Sequence, residues 1–198
     1  MKIILASASP RRREIMELSG LSFEIDTSDA DETLENITDP SEYVEELSRR
    51  KAYAVAVRHP EDIVIGADTI VSYDGNILGK PNDPDDAFRM LKMLAGRTHS
   101  VHTGVTIIYP ESASERRSET FHAETAVVMH DSSDELLRNY ADCGEPLDKA
   151  GAYAIQGRGA LLVDRIEGDY FNVVGLPIAE VNRRLKTAEE NINEHSPS

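Results

Sequence analysis

A chain of 198 residues is about one domain, and 40% hydrophobic against 29% charged residues is the composition of a folded, soluble protein, not a disordered one. The 21 Lys and Arg against 36 Asp and Glu leave a formal charge of −15, which argues against a duplex nucleic-acid binder but leaves room for a local basic pocket. A single cysteine, Cys143, allows neither an internal disulfide nor a cysteine-rich zinc site, which suits a cytoplasmic protein, and no apolar run is long enough for a signal peptide or a membrane span.

In chain order, Lys2 to Ala6 is expected to be a short strand. A helix follows from Ser9-Pro10, with Ser as N-cap and Pro in the first turn, and stops near Gly20. Asp39-Pro40 with Glu42 opens a second helix, whose stripe of Val44, Leu47 and Val55 runs to about Val57. Ile63 to Val71 is β-branched and apolar, a buried strand. Asp74-Gly75 predicts a hairpin returning over Asn76 to Gly79. Asp83-Pro84 opens a helix ending at Gly96. Ser100 to Tyr109 and Glu119 to Met129 are expected as long strands, with the polar segment Pro110 to Ser118 between them. Ser133 caps a helix to about Tyr140. Ala152 to Gln156 and Leu161 to Ile166 read as strands, and Pro177 to Lys186 as the last helix, before a solvated end from Glu189 to Ser198. Helices mixed with long antiparallel hairpins indicate an α/β protein with a mixed sheet.

Three places carry chemistry. In Ser7-Ala8-Ser9-Pro10-Arg11-Arg12-Arg13 a strand ends, small residues admit a ligand, and a helix N-terminus follows. Three arginines in that first turn oppose the helix dipole, a conflict that a bound polyphosphate relieves; the alternative is a solvated basic turn. Lys51 falls within the apolar stripe of its helix, so it either snorkels out or meets an anion. Asp68 sits inside a buried strand, where a carboxylate needs a cation. Pairing Tyr73 with Asn76 puts Thr69 opposite Lys80, so Asp68, Thr69 and Lys80 gather at one end of the hairpin. They form either a structural acid–base pair or a carboxylate for metal and water chemistry beside a phosphate-binding lysine. His99 and His102 are three apart in a strand, on opposite faces, and make no zinc site.

The segments Leu5-Ala6-Ser7-Ala8-Ser9-Pro10-Arg11-Arg12, Gly66-Ala67-Asp68-Thr69 and Leu78-Gly79-Lys80-Pro81 together resemble the Maf family of nucleoside triphosphate pyrophosphatases. Lys51-Ala52-Tyr53-Ala54, Thr103-Gly104-Val105, Lys149 to Gly157 and Asn172 to Pro177 agree, so the likeness runs over nearly the whole chain. It implies one such domain over residues 1–188 with a polar tail at 189–198. The implied fold is two-lobed with a central cleft, related to the inosine triphosphate pyrophosphatases. It also implies hydrolysis of a nucleoside triphosphate to monophosphate and pyrophosphate with a divalent cation, Mg or Mn. By the resemblance, Asp68 is the proton acceptor, and Ser7, Arg11, Arg12, Lys51 and Lys80 hold phosphates. Glu32 joins Asp68 toward the metal. Arg11, Thr69 and Gln156 match the branch acting on dTTP and UTP, and a glutamine amide suits the edge of uracil or thymine. A nucleotide-binding regulator of cell division and a pyrophosphatase for modified nucleotides are the competing functions. The sequence leaves a homodimer open.

Overall fold

The computed structural model describes residues 1–34, 36–110 and 117–194. Strand β1 (Ile3–Leu5) runs parallel to β2 (Phe23–Ile25) on one side and to β3 (Ile63–Tyr73) on the other. Parallel neighbours need crossovers, supplied by α1 (Pro10–Glu17) and α2 (Pro40–Ala56). Asp74 and Gly75, with φ of 50° and 73°, turn β3 back into β4 (Asn76–Leu78), as the Asp-Gly signal predicts. After α3 (Pro84–Leu94), the sheet continues antiparallel from β3 to β5 (Thr98–Ile108) and β6 (Ser118–Met129). Beyond α4 (Asp134–Ala141), β7 (Val163–Glu167) pairs with β6, and α5 (Tyr170–Val174) and α6 (Ile178–Glu194) complete the chain. The sheet order is β2-β1-β3-β5-β6-β7 with β4 beside β3, the mixed sheet expected.

One edge of β3 is shared. β1 covers it at Ile63–Ile65 and β4 at Val71–Tyr73, so neither strand covers Gly66 to Ile70. This opening lies where β1 ends, with α1 leading away to β2 on one side while β3 stands on the other. Such a switch point is where open α/β sheets bind ligands.

The two faces of the sheet differ. On one, α2 packs over Ile4, Val64 and Ile108 through Ala52, Val55 and Ala56. It lies very close. A Cβ at Gly66 would sit 2.6 Å from Ala52 N and Ser48 O, and one at Gly104 would sit 2.2 Å from Val44 O. On the other face the apolar residues form two clusters. Leu5, Ile65, Ala67, Val105 and Ile107 join α1 and α6 in the first. Val71, Val101, Val127 and the helices α3 and α4 make the second. Between them the facing strands carry Thr69, Thr103 and Thr125, with the fully buried Asn172 of α5 laid over them. The two lobes are these two clusters, and a polar belt separates them.

Several expectations need correction. Ala152 to Gln156 forms no strand. Gly151 and Ala152 both take left-handed φ, 66° and 61°, and the extended residues that follow pair with no neighbouring strand. The apolar run bridges the lobes instead, with Tyr153 packed in one cluster and Ile155 against the other. Gly157–Leu162 is a 3-10 turn rather than the start of a strand, because the Glu145 carboxylate accepts from Arg158 N and Gly159 N at 3.1 Å each. The pairing of β3 with β4 has the predicted register but ends at Leu78, so Thr69 and Lys80 are not ladder partners. Strand β2 was not foreseen, and α6 continues past Lys186 to Glu194. The expected loop from Pro110 to Ser118 falls largely on residues 111–116, outside the described residues, as does the end of the tail at 195–198.

Candidate active site

A cleft of about 530 Å³ opens at the uncovered stretch of β3. It is lined by every residue expected at the site: Ser7, Arg11, Arg12, Glu32, Lys51, Asp68, Thr69, Lys80 and Gln156. Because β3 alternates, Asp68 faces α2 and Thr69 faces the belt, so the two faces of the sheet present different chemistry to one opening.

On the α2 side, Lys51 does not snorkel to solvent. Its Nζ lies 2.6 Å from Asp68 Oδ1 and 3.0 Å from Glu32 Oε1. The close approach of α2 at Gly66 and Gly104 makes this contact possible, and Gly104 stands opposite Asp68 in the register. Asp68 and Lys51 are largely enclosed, whereas Glu32 is exposed. Nearby, burial raises the Tyr43 phenol, and the negative field of Asp68 and Glu32 raises it further.

On the belt side, Ser9 caps α1 by accepting from Arg12 N, and Ser7 Oγ accepts from Ser9 N at 3.2 Å. Arg12 then turns inward. Its Nε donates to Gly175 O (2.8 Å), Nη1 to Ser7 Oγ (3.4 Å) and Nη2 to Thr69 Oγ1 (2.9 Å). Among the described residues no carboxylate pairs with it. A guanidinium has five N–H donors, so two remain for a ligand. Burial lowers the Arg12 guanidinium, while Asp68 opposes that shift. A cation held by neutral acceptors at the base of a cleft is an anion site, and a planar fork suits phosphate oxygens.

At the mouth, Arg11 Nη2 approaches Asp148 Oδ2 at 3.9 Å, and the same carboxylate pairs with Lys149. Burial works to raise the Asp148 carboxyl, but Lys149 and Arg11 outweigh it and hold it below the usual range. Lys80 is exposed and, among the described residues, without an ion-pair partner. The expected alternative, a structural Asp68–Lys80 pair, is therefore not formed; Lys51 is the partner. Gln156 is exposed at the rim.

Lys149 lines the cleft and was not among the expected site residues. Its one signal in the sequence is that Lys149 to Gly157 is among the segments that resemble the Maf family. The backbone joins the two turns, since Gly151 N donates to Gly79 O at 3.0 Å. The cleft thus gathers five cations (Arg11, Arg12, Lys51, Lys80, Lys149) against three carboxylates (Glu32, Asp68, Asp148) in a protein of net charge −15, which marks it for an anion.

A divalent cation fits this site. Glu32 and Asp68 converge on one point, the Lys51 ammonium, so two carboxylates already share a cation. No group of three or more His, Cys, Asp or Glu side chains suited to a metal occurs among the described residues. Two carboxylates completed by water and phosphate oxygens is the way Mg²⁺ is commonly bound.

A family model described as Maf-like protein matches residues 2–188. The chain belongs to the Maf-like family. Among its relatives, a dTTP/UTP pyrophosphatase of Bacillus cereus (strain G9842) is 49% identical over 185 residues, 93% of this chain and 94% of that one. Proteins of the same name from Bacillus mycoides (strain KBAB4) and Bacillus pumilus (strain SAFR-032) are 47% and 48% identical over 191 and 186 residues, 96% and 94% of this chain and 97% and 96% of theirs. Among solved structures, the Staphylococcus aureus Ham1 protein is similar at a TM-score of 0.48 and 14% identity over 67% of this chain and 73% of that one. Six of the seven Maf-like segments named from the sequence contribute residues to the cleft lining; Thr103-Gly104-Val105 does not.

Proposed function

We propose that this chain hydrolyses nucleoside triphosphates, with dTTP and UTP favoured, to the monophosphate and pyrophosphate. The observation that carries this reading is the placing of the Lys51–Asp68 pair and the Arg12 fork on opposite faces of the sheet at one opening, in a chain of the Maf-like family. Arg11, Arg12, Lys80 and the Ser7 hydroxyl hold the triphosphate. Asp68 takes a proton from water as the water oxygen bonds to the α-phosphorus. The bond from that phosphorus to the bridging oxygen breaks, and its electron pair leaves with pyrophosphate. The cations stabilise the charge that develops there. Lys51, expected among the phosphate contacts, is engaged by Asp68 and Glu32 instead and holds Asp68 against the strand. Asp68 and Glu32 would hold Mg²⁺ or Mn²⁺, which supplies charge neutralisation on the phosphate oxygens when bound.

Gln156, at the rim, offers an acceptor and two donors to the base, with Arg11 and Thr69 completing the choice of uracil or thymine. The single cysteine and the absence, among the described residues, of a helix long and apolar enough to cross a membrane support a cytoplasmic site of action. The test is product analysis with UTP and Mg²⁺. Equimolar UMP and pyrophosphate support the reading; UDP and orthophosphate, or no turnover, reject it.

A further inference from the structure

The belt between the two lobes has a direction. Thr103 Oγ1 lies 3.0 Å from the backbone oxygen of Asn172, which only accepts, so the Thr103 proton goes there. Thr69 Oγ1 lies 2.9 Å from Thr103 Oγ1, so Thr69 is the donor of that bond. With its own proton committed, Thr69 Oγ1 accepts from Arg12 Nη2. The chain runs one way: guanidinium, Thr69, Thr103, Asn172 carbonyl. Each hydroxyl has one proton, and the terminal carbonyl orders all of them.

Asn172 also fixes where that carbonyl stands. It is fully buried, and its Nδ2 donates to Val101 O (3.0 Å) and Thr125 Oγ1 (2.9 Å). Thr125 Oγ1 in turn donates to Asp169 O and accepts from Asp169 N at the cap of α5. The helix so pinned ends at Gly175, whose oxygen accepts from Arg12 Nε. Two of the three bonds holding the guanidinium therefore depend on α5, one directly and one through the threonines.

We infer that Thr103 and Asn172, neither of which reaches the cleft, are positioning residues that aim the two remaining N–H groups of Arg12 at the phosphates of the substrate. Thr69 has no proton to give a nucleotide base, because its hydroxyl donates to Thr103 while it holds Arg12. This rests on the proposed function only in taking a triphosphate as the ligand.

The test is a double-mutant cycle between Thr103→Val and Arg12→Lys. It is read by calorimetric titration with inorganic tripolyphosphate in Mg²⁺ and, separately, by kcat/KM for UTP. Thr103→Val should weaken tripolyphosphate binding about tenfold, a coupling usual within one network. Thr103→Ser should restore it, and in the Arg12→Lys background Thr103→Val should change it less than twofold. If Thr103→Val does not fold, Thr103→Ala takes its place. An equal effect in both backgrounds, or a lowered melting temperature with unchanged binding, overturns the inference, as does a wild type that does not bind tripolyphosphate. Binding that follows the cycle in a protein that turns over no nucleotide leaves the inference standing and rejects the pyrophosphatase reading.

Discussion

Lys51 Nζ and Asp68 Oδ1 stand 2.6 Å apart, joining the inward face of α2 to the middle of β3. Lys51 sits within the helix stripe that buries Val44, Leu47 and Val55. It thus links the packing of α2 to the chemistry of the cleft. Asp68→Asn keeps the shape and loses the charge, so turnover should fall by about 100-fold or more while the protein stays folded, as expected for loss of a positioned base. Steady-state kinetics at saturating Mg²⁺ beside a thermal melt decide it, and near-normal kcat would refute the role of Asp68.

Lys80→Ala should separate ligand binding from stability. The exposed lysine has no ion-pair partner among the described residues, so its loss should change stability by under about 0.5 kcal/mol. Triphosphate turnover should fall by roughly tenfold or more, as one phosphate contact is worth at least about 1.5 kcal/mol. A lowered melting temperature with intact kinetics would show that Lys80 is structural.

The glycines beneath α2 make a sharper structural prediction. Gly66→Ala brings a methyl to 2.6 Å from backbone atoms of α2, and Gly104→Ala to 2.2 Å. Neither backbone can yield without moving Lys51 from Asp68. Each change should cost about 3 kcal/mol and lower activity, measured by urea unfolding and kinetics. An unaltered midpoint would contradict the packing described.

Much of the fold was legible because its signals are local. The caps Ser9, Asp39, Asp83 and Ser133 each accept the expected backbone bonds. Asp74-Gly75 turns the hairpin. Ala152 to Ile155 misled because an apolar run records burial, not pairing. These residues are buried or half-buried by bridging two clusters, after two left-handed residues that no composition rule signals. At the site, Arg12, Lys51 and Asp68 were legible as charges that needed partners. Which partner each took was not, since Lys51 reaches Asp68 only because Gly66 and Gly104 let α2 descend. Lys149 was hidden for a related reason: only the bond from Gly151 N to Gly79 O brings its turn beside Lys80.

His99 makes stability depend on pH. Burial holds its imidazole down at about 4, against an ordinary value of 6.5. Between these values the unfolded chain binds a proton that the folded chain does not. Stability is therefore full above about pH 6.5 and falls as pH drops toward 4, by about 2 kcal/mol at pH 5. Urea unfolding at pH 7.5 and pH 5 should show this loss in the wild type and a smaller one in His99→Gln. Equal losses would show that other groups carry the effect.

Gln156→Ala tests base recognition apart from phosphate binding. The variant should narrow the preference for UTP over GTP by about 5-fold or more, since an unpaired polar group costs on the order of 1–3 kcal/mol, and should leave the Mg²⁺ dependence unchanged. Parallel loss for every nucleotide would place Gln156 in a general role.

The most direct measurement is kcat/KM of the wild-type protein for dTTP, UTP, GTP and ATP, followed by pyrophosphate release with Mg²⁺. We expect dTTP and UTP to be hydrolysed at least about tenfold more efficiently than GTP or ATP. Equal efficiency for all four would contradict the base preference, and no pyrophosphate from any of them would contradict the activity itself.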